Sequence, residues 1–157
     1  MRQPTPEVLA YWQRFLESLP ADAPRPVDFQ YWAFGNNADL ASRLAGLVRL
    51  GKKTATSSLS WSYEDGNEPY PVKGGYSVIT DWDGHPLCVI QTTQVVVRPF
   101  NQVGADIAFE EGEGDQTLAY WREVHWEFFS MECEQIGRQP QEDMPVVNER
   151  FQLVFDQ

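Results

Sequence analysis

A lysine and a threonine three positions apart, Lys53 and Thr56, follow a glycine, Gly51, that could end a helix. A threonine hydroxyl is a weak nucleophile, and a neighbouring amine could activate it if burial or another cation lowered the lysine pKa. In a regular strand the two side chains would face opposite ways, so this chemistry requires the chain to turn near them. The alternative is that Lys53 is a solvated surface charge and Thr56 an ordinary strand residue.

Acidic residues crowd into ten positions further along the chain: Asp106, Glu110, Glu111, Glu113 and Asp115. Acids stabilise a helix N-terminus by roughly 0.3–1 kcal/mol each, which explains part of this run. It does not explain the glycines that alternate with acids in Glu111-Gly112-Glu113-Gly114-Asp115, because acids at a helix start have no need of a relaxed backbone. A carboxylate from this run, such as Glu113, could orient water or return a proton.

The charge of the chain limits what it can bind. Lys and Arg number 12 against 23 Asp and Glu, which gives a formal net charge of −11, so general attraction to polyphosphate is excluded. Residues 40–63 contain no acid and carry Arg43, Arg49, Lys52 and Lys53 as one basic island. We therefore expect a nucleoside or a very short single-stranded RNA, rather than a long RNA track.

Length and composition indicate the class of protein. A chain of 157 residues forms one domain by default, and Cys88 and Cys133 are too isolated for a zinc ribbon or a disulfide scaffold. Residues 1–20 lack the pattern of a signal peptide, and no run of about 18 apolar residues occurs. We expect a cytoplasmic protein with reduced thiols and no membrane partner.

Periodicity predicts three helices and a mostly antiparallel sheet. The helices should run from Thr5 to near Pro20, from Asn37 to Gly51, and from Asp115 to before Gly137. Strands are predicted at residues 54–61, 76–81, 87–97 and 151–155, with a hairpin at 83–84 and a loop over 64–75. These elements predict an α+β fold, a small mostly antiparallel β-barrel with flanking helices.

Several segments together resemble the ASCH (activating-signal-cointegrator homology) domain, whose barrel is PUA-like. Its signature is a glycine, a lysine two on and a threonine three further, here Gly51, Lys53 and Thr56. The surrounding matches are Tyr31-Trp32-Ala33-Phe34-Gly35, Lys53-Thr54-Ala55-Thr56-Ser57-Ser58-Leu59, Glu111-Gly112-Glu113-Gly114-Asp115 and Tyr120-Trp121-Arg122-Glu123-Val124-His125-Trp126. The resemblance covers residues 29–157 and leaves residues 1–28 as an added N-terminal helix and connector.

The resemblance implies a cleft between barrel and helices that receives RNA or a nucleoside. One bacterial relative removes the acetyl group from N4-acetylcytidine without a metal, which makes Lys53 the general base, Thr56 the nucleophile and Glu113 the acid–base partner. Glu111 is the alternative to Glu113, because the local match is ambiguous by a couple of positions. Ser58 stands where that relative usually has an arginine, which leaves the identity of the substrate open.

Two other activities follow from the same resemblance. Some stand-alone members cleave single-stranded RNA with magnesium, which Glu111, Glu113 and Asp115 could hold here. A third reading is a binding module that stacks bases and catalyses nothing. Substrate contacts are assigned to Arg49, Lys52, Trp32, Glu111 and Arg122. His125 is expected to be a hydrogen-bonded core residue.

Overall fold

A curled five-stranded sheet, flanked by helices, forms the body of the computed structural model, which describes residues 3–157. The helices are α1 (Pro6–Ser18), α2 (Ala38–Arg49), α3 (Ser60–Gly66), α4 (Ala105–Glu111) and α5 (Leu118–Gln135), with one 3-10 turn (Phe100–Gln102). The strands are β1 (Gln30–Trp32), β2 (Ala55–Leu59), β3 (Tyr76–Thr80), β4 (Pro86–Pro99) and β5 (Pro145–Phe155). In the described part of the chain, no helix is long and apolar enough to cross a membrane.

The strands lie in the order β1-β3-β4-β5-β2. Within residues 3–157, three of the four strand pairs are antiparallel, and only β1 with β3 is parallel. The fold class expected from the sequence, an α+β fold with a small mostly antiparallel β-barrel and flanking helices, is therefore confirmed, and the sheet curls into a half-barrel. The strand β2, which carries Thr56, lies at one edge of the sheet beside β5.

Helices cover both faces of the sheet, so its central strands are buried on both sides. Val78 and Val89 pack on one face beneath α1, whereas Ile79 and Ile90 pack on the other beneath α2. This is the alternation expected of neighbouring residues in a strand. A third apolar cluster, which includes Trp121 and Phe129 of α5, fills the space between β2, α4 and α5.

Some predicted boundaries were wrong. The last long helix begins at Leu118, not at Asp115, because Thr117 caps it by accepting a hydrogen bond from the backbone N–H of Tyr120. The strand predicted over 54–61 ends at Leu59, where the short helix α3 replaces its last residues and the start of the predicted loop. The helix α4 and the three-residue strand β1 were not predicted from the sequence.

The end of α4 docks against the residues that precede β2. Gly112 ends α4 with φ of +71°, and a Cβ at this position would lie 2.5 Å from the carbonyl oxygen of Lys52. The backbone N–H of Thr54 also donates to the carbonyl of Glu110 at 2.8 Å. Only glycine fits both the backbone angle and this close approach, and the contact brings the acidic run beside Lys53.

Candidate functional site

A cleft of about 100 Å³ lies between residues of α2, β2 and α5 and reaches the loop after α4. Lys53, Thr56 and Glu113, the three residues to which catalysis was assigned from sequence, all line it. Lys53 precedes the first residue of β2, so the strict alternation of a strand does not separate it from Thr56. The remaining lining residues are Phe34, Gly35, Leu40, Arg43, Leu44, Ser57, Glu111, Tyr120, Val124, His125 and Phe128.

Lys53 is 1% exposed and held by two carboxylates. Its Nζ lies 3.2 Å from Oε1 of Glu111 and 2.9 Å from Oε2 of Glu113, and 5.5 Å from the centre of the Phe34 ring. Burial alone would lower the pKa of Lys53, but the charges of Glu111 and Glu113 and their hydrogen bonds raise it. Lys53 is therefore an ammonium group in the resting cleft.

Glu111 collects donors from four side chains. Its Oε2 accepts hydrogen bonds from Ser57 Oγ, at 2.6 Å, and from Nε1 of Trp121, while its Oε1 faces Lys53 and His125. Burial alone would raise the pKa of Glu111, but the charges of His125 and Lys53 and the hydrogen bonds from His125 and Ser57 hold it well below the usual range. Glu111 is thus ionised, and both of its carboxylate oxygens already have partners within the protein.

His125 completes this cluster from α5. Its ring stacks on Trp121 with centroids 4.3 Å apart, Nδ1 lies 2.9 Å from the Trp121 carbonyl, and Nε2 lies 3.5 Å from Oε1 of Glu111. Because both ring nitrogens face acceptors, the geometry favours the doubly protonated imidazolium. Burial alone would lower the pKa of His125, but Glu111 raises it. His125 is buried and hydrogen-bonded, as expected from the sequence, but its contact with Glu111 was not predicted.

The two adjacent hydroxyls in the cleft differ in their partners. The Ser57 hydroxyl donates a hydrogen bond to Glu111 and accepts one from Nδ2 of Asn148 at 2.9 Å, so it already has two partners within the protein. Among the described residues, none forms a hydrogen bond with the Thr56 hydroxyl. Thr56 is therefore the hydroxyl left available to a substrate.

The acidic run divides into three parts. Asp106 and Glu110 form ion pairs with Arg150 of β5, each at 2.8 Å, a partner that the sequence did not point to. Asp115 accepts hydrogen bonds from the backbone and hydroxyl of Thr117 at the start of α5. Of these acids, only Glu111 and Glu113 line the cleft, and both contact Lys53. The two alternatives that the sequence left open therefore both lie beside Lys53.

Most residues assigned to substrate contacts lie outside this cleft. Arg49 and Lys52 are exposed and are not among its lining residues, while Trp32 packs edge-on against Phe34 with ring centres 4.8 Å apart. Arg122 lines a separate, open groove of about 360 Å³ together with Trp126. Of the five residues, only Glu111 lines the cleft that contains Lys53.

Donor atoms of Glu111, Glu113 and His125 lie within 4.8 Å of one another, the spacing of a metal site. The chemistry of this donor set does not fit magnesium, which prefers oxygen ligands. Lys53 already places a cation against both carboxylates, and a protonated His125 has no lone pair to give. Asp115, the third expected magnesium ligand, is not part of this group.

Comparisons with known proteins agree with this fold. The family model for the ASCH domain, a family associated with RNA binding, matches residues 30–155. The ASCH domain structure from Lactobacillus crispatus JV V101 is 34% identical, with a TM-score of 0.90 over 99% of this chain and 98% of that chain. A protein structure from Enterococcus faecalis V583 is 36% identical, with a TM-score of 0.84 over 96% of this chain and 89% of that chain. Curated protein sequences gave no significant match. The chain therefore belongs to the ASCH domain family.

Proposed function

We propose that the cleft binds a single nucleobase and that the protein hydrolyses an acyl amide on that base, as in N4-acetylcytidine. The observation that carries this proposal is the convergence of Lys53, Thr56 and Glu113 on one cleft, with Lys53 Nζ 2.9 Å from Glu113. A nucleophile, a cation and a carboxylate are the groups that acyl transfer needs.

The size and walls of the cleft support a small planar substrate. Ligand pockets for drug-sized molecules hold about 300–1,000 Å³, whereas this cleft holds about 100 Å³. The rings of Phe34, Tyr120 and Phe128 and the side chains of Leu40 and Leu44 supply apolar walls. Aromatic rings of this kind stack well on a base, so one base suits the cleft better than a polynucleotide.

The proposed reaction has two steps. The hydroxyl oxygen of Thr56 attacks the acyl carbon as its proton passes to Glu113, and the C–N bond breaks when that proton moves to the leaving amine. The products of this step are the free base amine and an acyl ester on Thr56. Water, which gives its proton to Glu113, then hydrolyses the ester, and the proton returns to Thr56 as the acid leaves.

In this proposal Lys53 keeps its proton, unlike the general base expected from the sequence. An amine acts as a base only when neutral, and the raised pKa of Lys53 beside Glu111 and Glu113 favours the charged form. A fixed ammonium instead stabilises the negative charge that develops on the acyl oxygen. Glu111, held by four donors, keeps the ammonium in place.

The magnesium-dependent ribonuclease has less support. Asp115 accepts a hydrogen bond from Thr117, and the ammonium of Lys53 already forms ion pairs with Glu111 and Glu113, the other two carboxylates expected to bind the metal.

One experiment separates amide hydrolysis from RNA cleavage. The protein is incubated with N4-acetylcytidine and a short unstructured RNA, with magnesium or with EDTA, and the products are resolved by chromatography. We expect cytidine under both conditions and intact RNA. Shortened RNA only with magnesium, with acetylcytidine intact, would support the ribonuclease, and no product at all would support a binding module.

A further inference from the structure

The charged groups inside the cleft balance one another. Lys53 and His125 supply two positive charges, and Glu111 and Glu113 supply two negative charges, all within one contact network. Because this inner cluster is neutral as a whole, it has no excess charge with which to attract a charged substrate. Any preference for an anion or a cation must come from another residue that lines the cleft.

Arg43 is that residue. It projects from α2 among the lining residues, is exposed, and forms no ion pair with any carboxylate in the described part of the chain. Asp39 lies one helical turn earlier, where an ion pair could form, yet the two side chains are not paired. Arg43 is thus a cation at the cleft whose charge the protein leaves uncompensated.

We propose that Arg43 binds a phosphate attached to the ribose of the substrate, so that the cleft takes a nucleotide in preference to a free nucleoside. The inference rests on the proposed function, because it assumes that the base lies in the cleft beside Thr56. A guanidinium presents a planar pair of N–H donors that matches a phosphate, which an ammonium does not. Arg43 would then determine which form of the base the protein selects.

The overall charge indicates that few phosphates are bound. At a net charge of −11, phosphates beyond the reach of Arg43 meet repulsion rather than attraction. Of the other members of the basic island, Lys53 is paired with Glu111 and Glu113, whereas Arg49 and Lys52 are exposed but do not line the cleft. The phosphate can belong to a free mononucleotide or to the terminal link of a short RNA, and both present the same chemistry to Arg43.

Binding of products tests this inference without turnover. Isothermal titration calorimetry would compare cytidine with cytidine 5′-monophosphate, cytidine 3′-monophosphate and the dinucleotide cytidylyl-cytidine. We expect at least one phosphorylated ligand to bind the wild type about tenfold more tightly than cytidine, the gain typical of one charged hydrogen-bonded contact. A gain for a monophosphate identifies a free nucleotide, and a gain for the dinucleotide alone identifies a phosphodiester of RNA.

Three substitutions at two positions of α2 then assign the effect. In Arg43→Gln the ratio of affinities should fall to about one, because the phosphorylated ligand loses the contact that distinguishes it from cytidine. In Arg43→Lys the ratio should be intermediate, because the charge remains and the paired donors are lost. Arg49→Gln, which removes a positive charge from α2 outside the cleft lining, should leave the ratio unchanged.

Failure of this inference differs from failure of the proposed function. If cytidine and the phosphorylated ligands bind the wild type equally, or if Arg43→Gln keeps the preference, Arg43 does not bind phosphate, whereas acetylcytidine hydrolysis is unaffected by that result. An equal loss in Arg49→Gln would overturn the assignment in favour of general electrostatic attraction. If none of the four ligands binds, both the inference and the base-binding cleft on which it rests are wrong.

Discussion

Nζ of Lys53 lies 3.2 Å from Oε1 of Glu111, and the two side chains are only 1% and 2% exposed. The residues are 58 positions apart, so this ion pair joins the segment before β2 to the end of α4. Removing two charges from water is costly, and a pair so deeply buried is stable only when further hydrogen bonds satisfy both partners. Ser57 and Trp121 supply those bonds to Glu111.

Loss of the Lys53 ammonium should therefore destabilise the whole fold. Lys53→Met keeps a side chain of similar length but leaves Glu111 and Glu113 without their shared cation. We expect a loss of about 3–5 kcal/mol in the free energy of unfolding, measured by urea denaturation. Lys52→Met is the matched control, and it should change stability by less than about 0.5 kcal/mol because Lys52 is exposed. Equal stability of the two variants would show that the buried pair contributes nothing.

His125 should make stability depend on pH on the alkaline side. Glu111 raises the pKa of His125 in the folded protein above its ordinary value of 6.5, against the effect of burial. The stabilisation from the imidazolium is then complete below the unfolded-state pKa and is lost as the pH rises through the folded-state pKa. The stability gap between the wild type and His125→Gln should shrink as the pH increases from about 6 to about 10, as measured by urea denaturation at each pH. A gap that stays constant would mean that His125 is neutral throughout.

Glu149 should also lower stability as the pH rises, in its case through the cost of its own buried charge. It is buried, accepts a hydrogen bond from Thr92 Oγ1 at 2.5 Å, and has no cation paired with it among the described side chains. Burial raises the pKa of Glu149, so the charged form costs stability once the pH exceeds the unfolded-state pKa.

Glu149→Gln keeps an oxygen for Thr92 and removes the charge, so it should raise the melting temperature by roughly 2–4 °C at about pH 8. The gain should vanish at about pH 4, where Glu149 is protonated in both the folded and the unfolded chain. Calorimetric melting at the two pH values measures it. A lower melting temperature at about pH 8 would mean that the carboxylate stabilises the fold.

Gly112 should tolerate a side chain less well than Gly74. Both have positive φ, +71° and +87°, so alanine strains the backbone at either position. A Cβ at Gly74 would meet no atom within 4 Å, whereas one at Gly112 would lie 2.5 Å from the Lys52 carbonyl oxygen. We expect Gly74→Ala to cost about 1–2 kcal/mol and Gly112→Ala to cost clearly more in the same denaturation assay. Equal costs would contradict the close docking of α4 on the residues before β2.

Local sequence patterns predicted the parts of the fold that depend on local interactions. Thr5 and Asn37 cap α1 and α2 as expected, and the turn at 83–84 joins β3 to β4. The helix α4 was missed because it has only seven residues, too few for a clear apolar period, and its acids suggested the start of the next helix instead. The parallel pairing of β1 with β3 has no local signal at all.

The candidate site, like the fold, could be predicted from the sequence only where it depends on residues close together in the chain. The spacing of Lys53 and Thr56 was visible in the sequence, but the state of Lys53 depends on Glu111 and Glu113, which lie about 60 positions away. His125 stood on an apolar stripe, so only the fold could reveal its contact with Glu111. Arg43 was one of four cations in the basic island, and only the packing of α2 separates it from Arg49 as a residue of the cleft.

The rate of cytidine release from N4-acetylcytidine tests the central claim most directly. Thr56→Ala removes the proposed nucleophile, whereas Thr54→Ala removes an exposed threonine two positions earlier that does not line the cleft. We predict that Thr56→Ala slows release by at least about a hundredfold while cytidine binding is retained, that Thr56→Ser keeps measurable activity, and that Thr54→Ala matches the wild type. Release by Thr56→Ala at the wild-type rate, or no release by the wild type, would contradict the account.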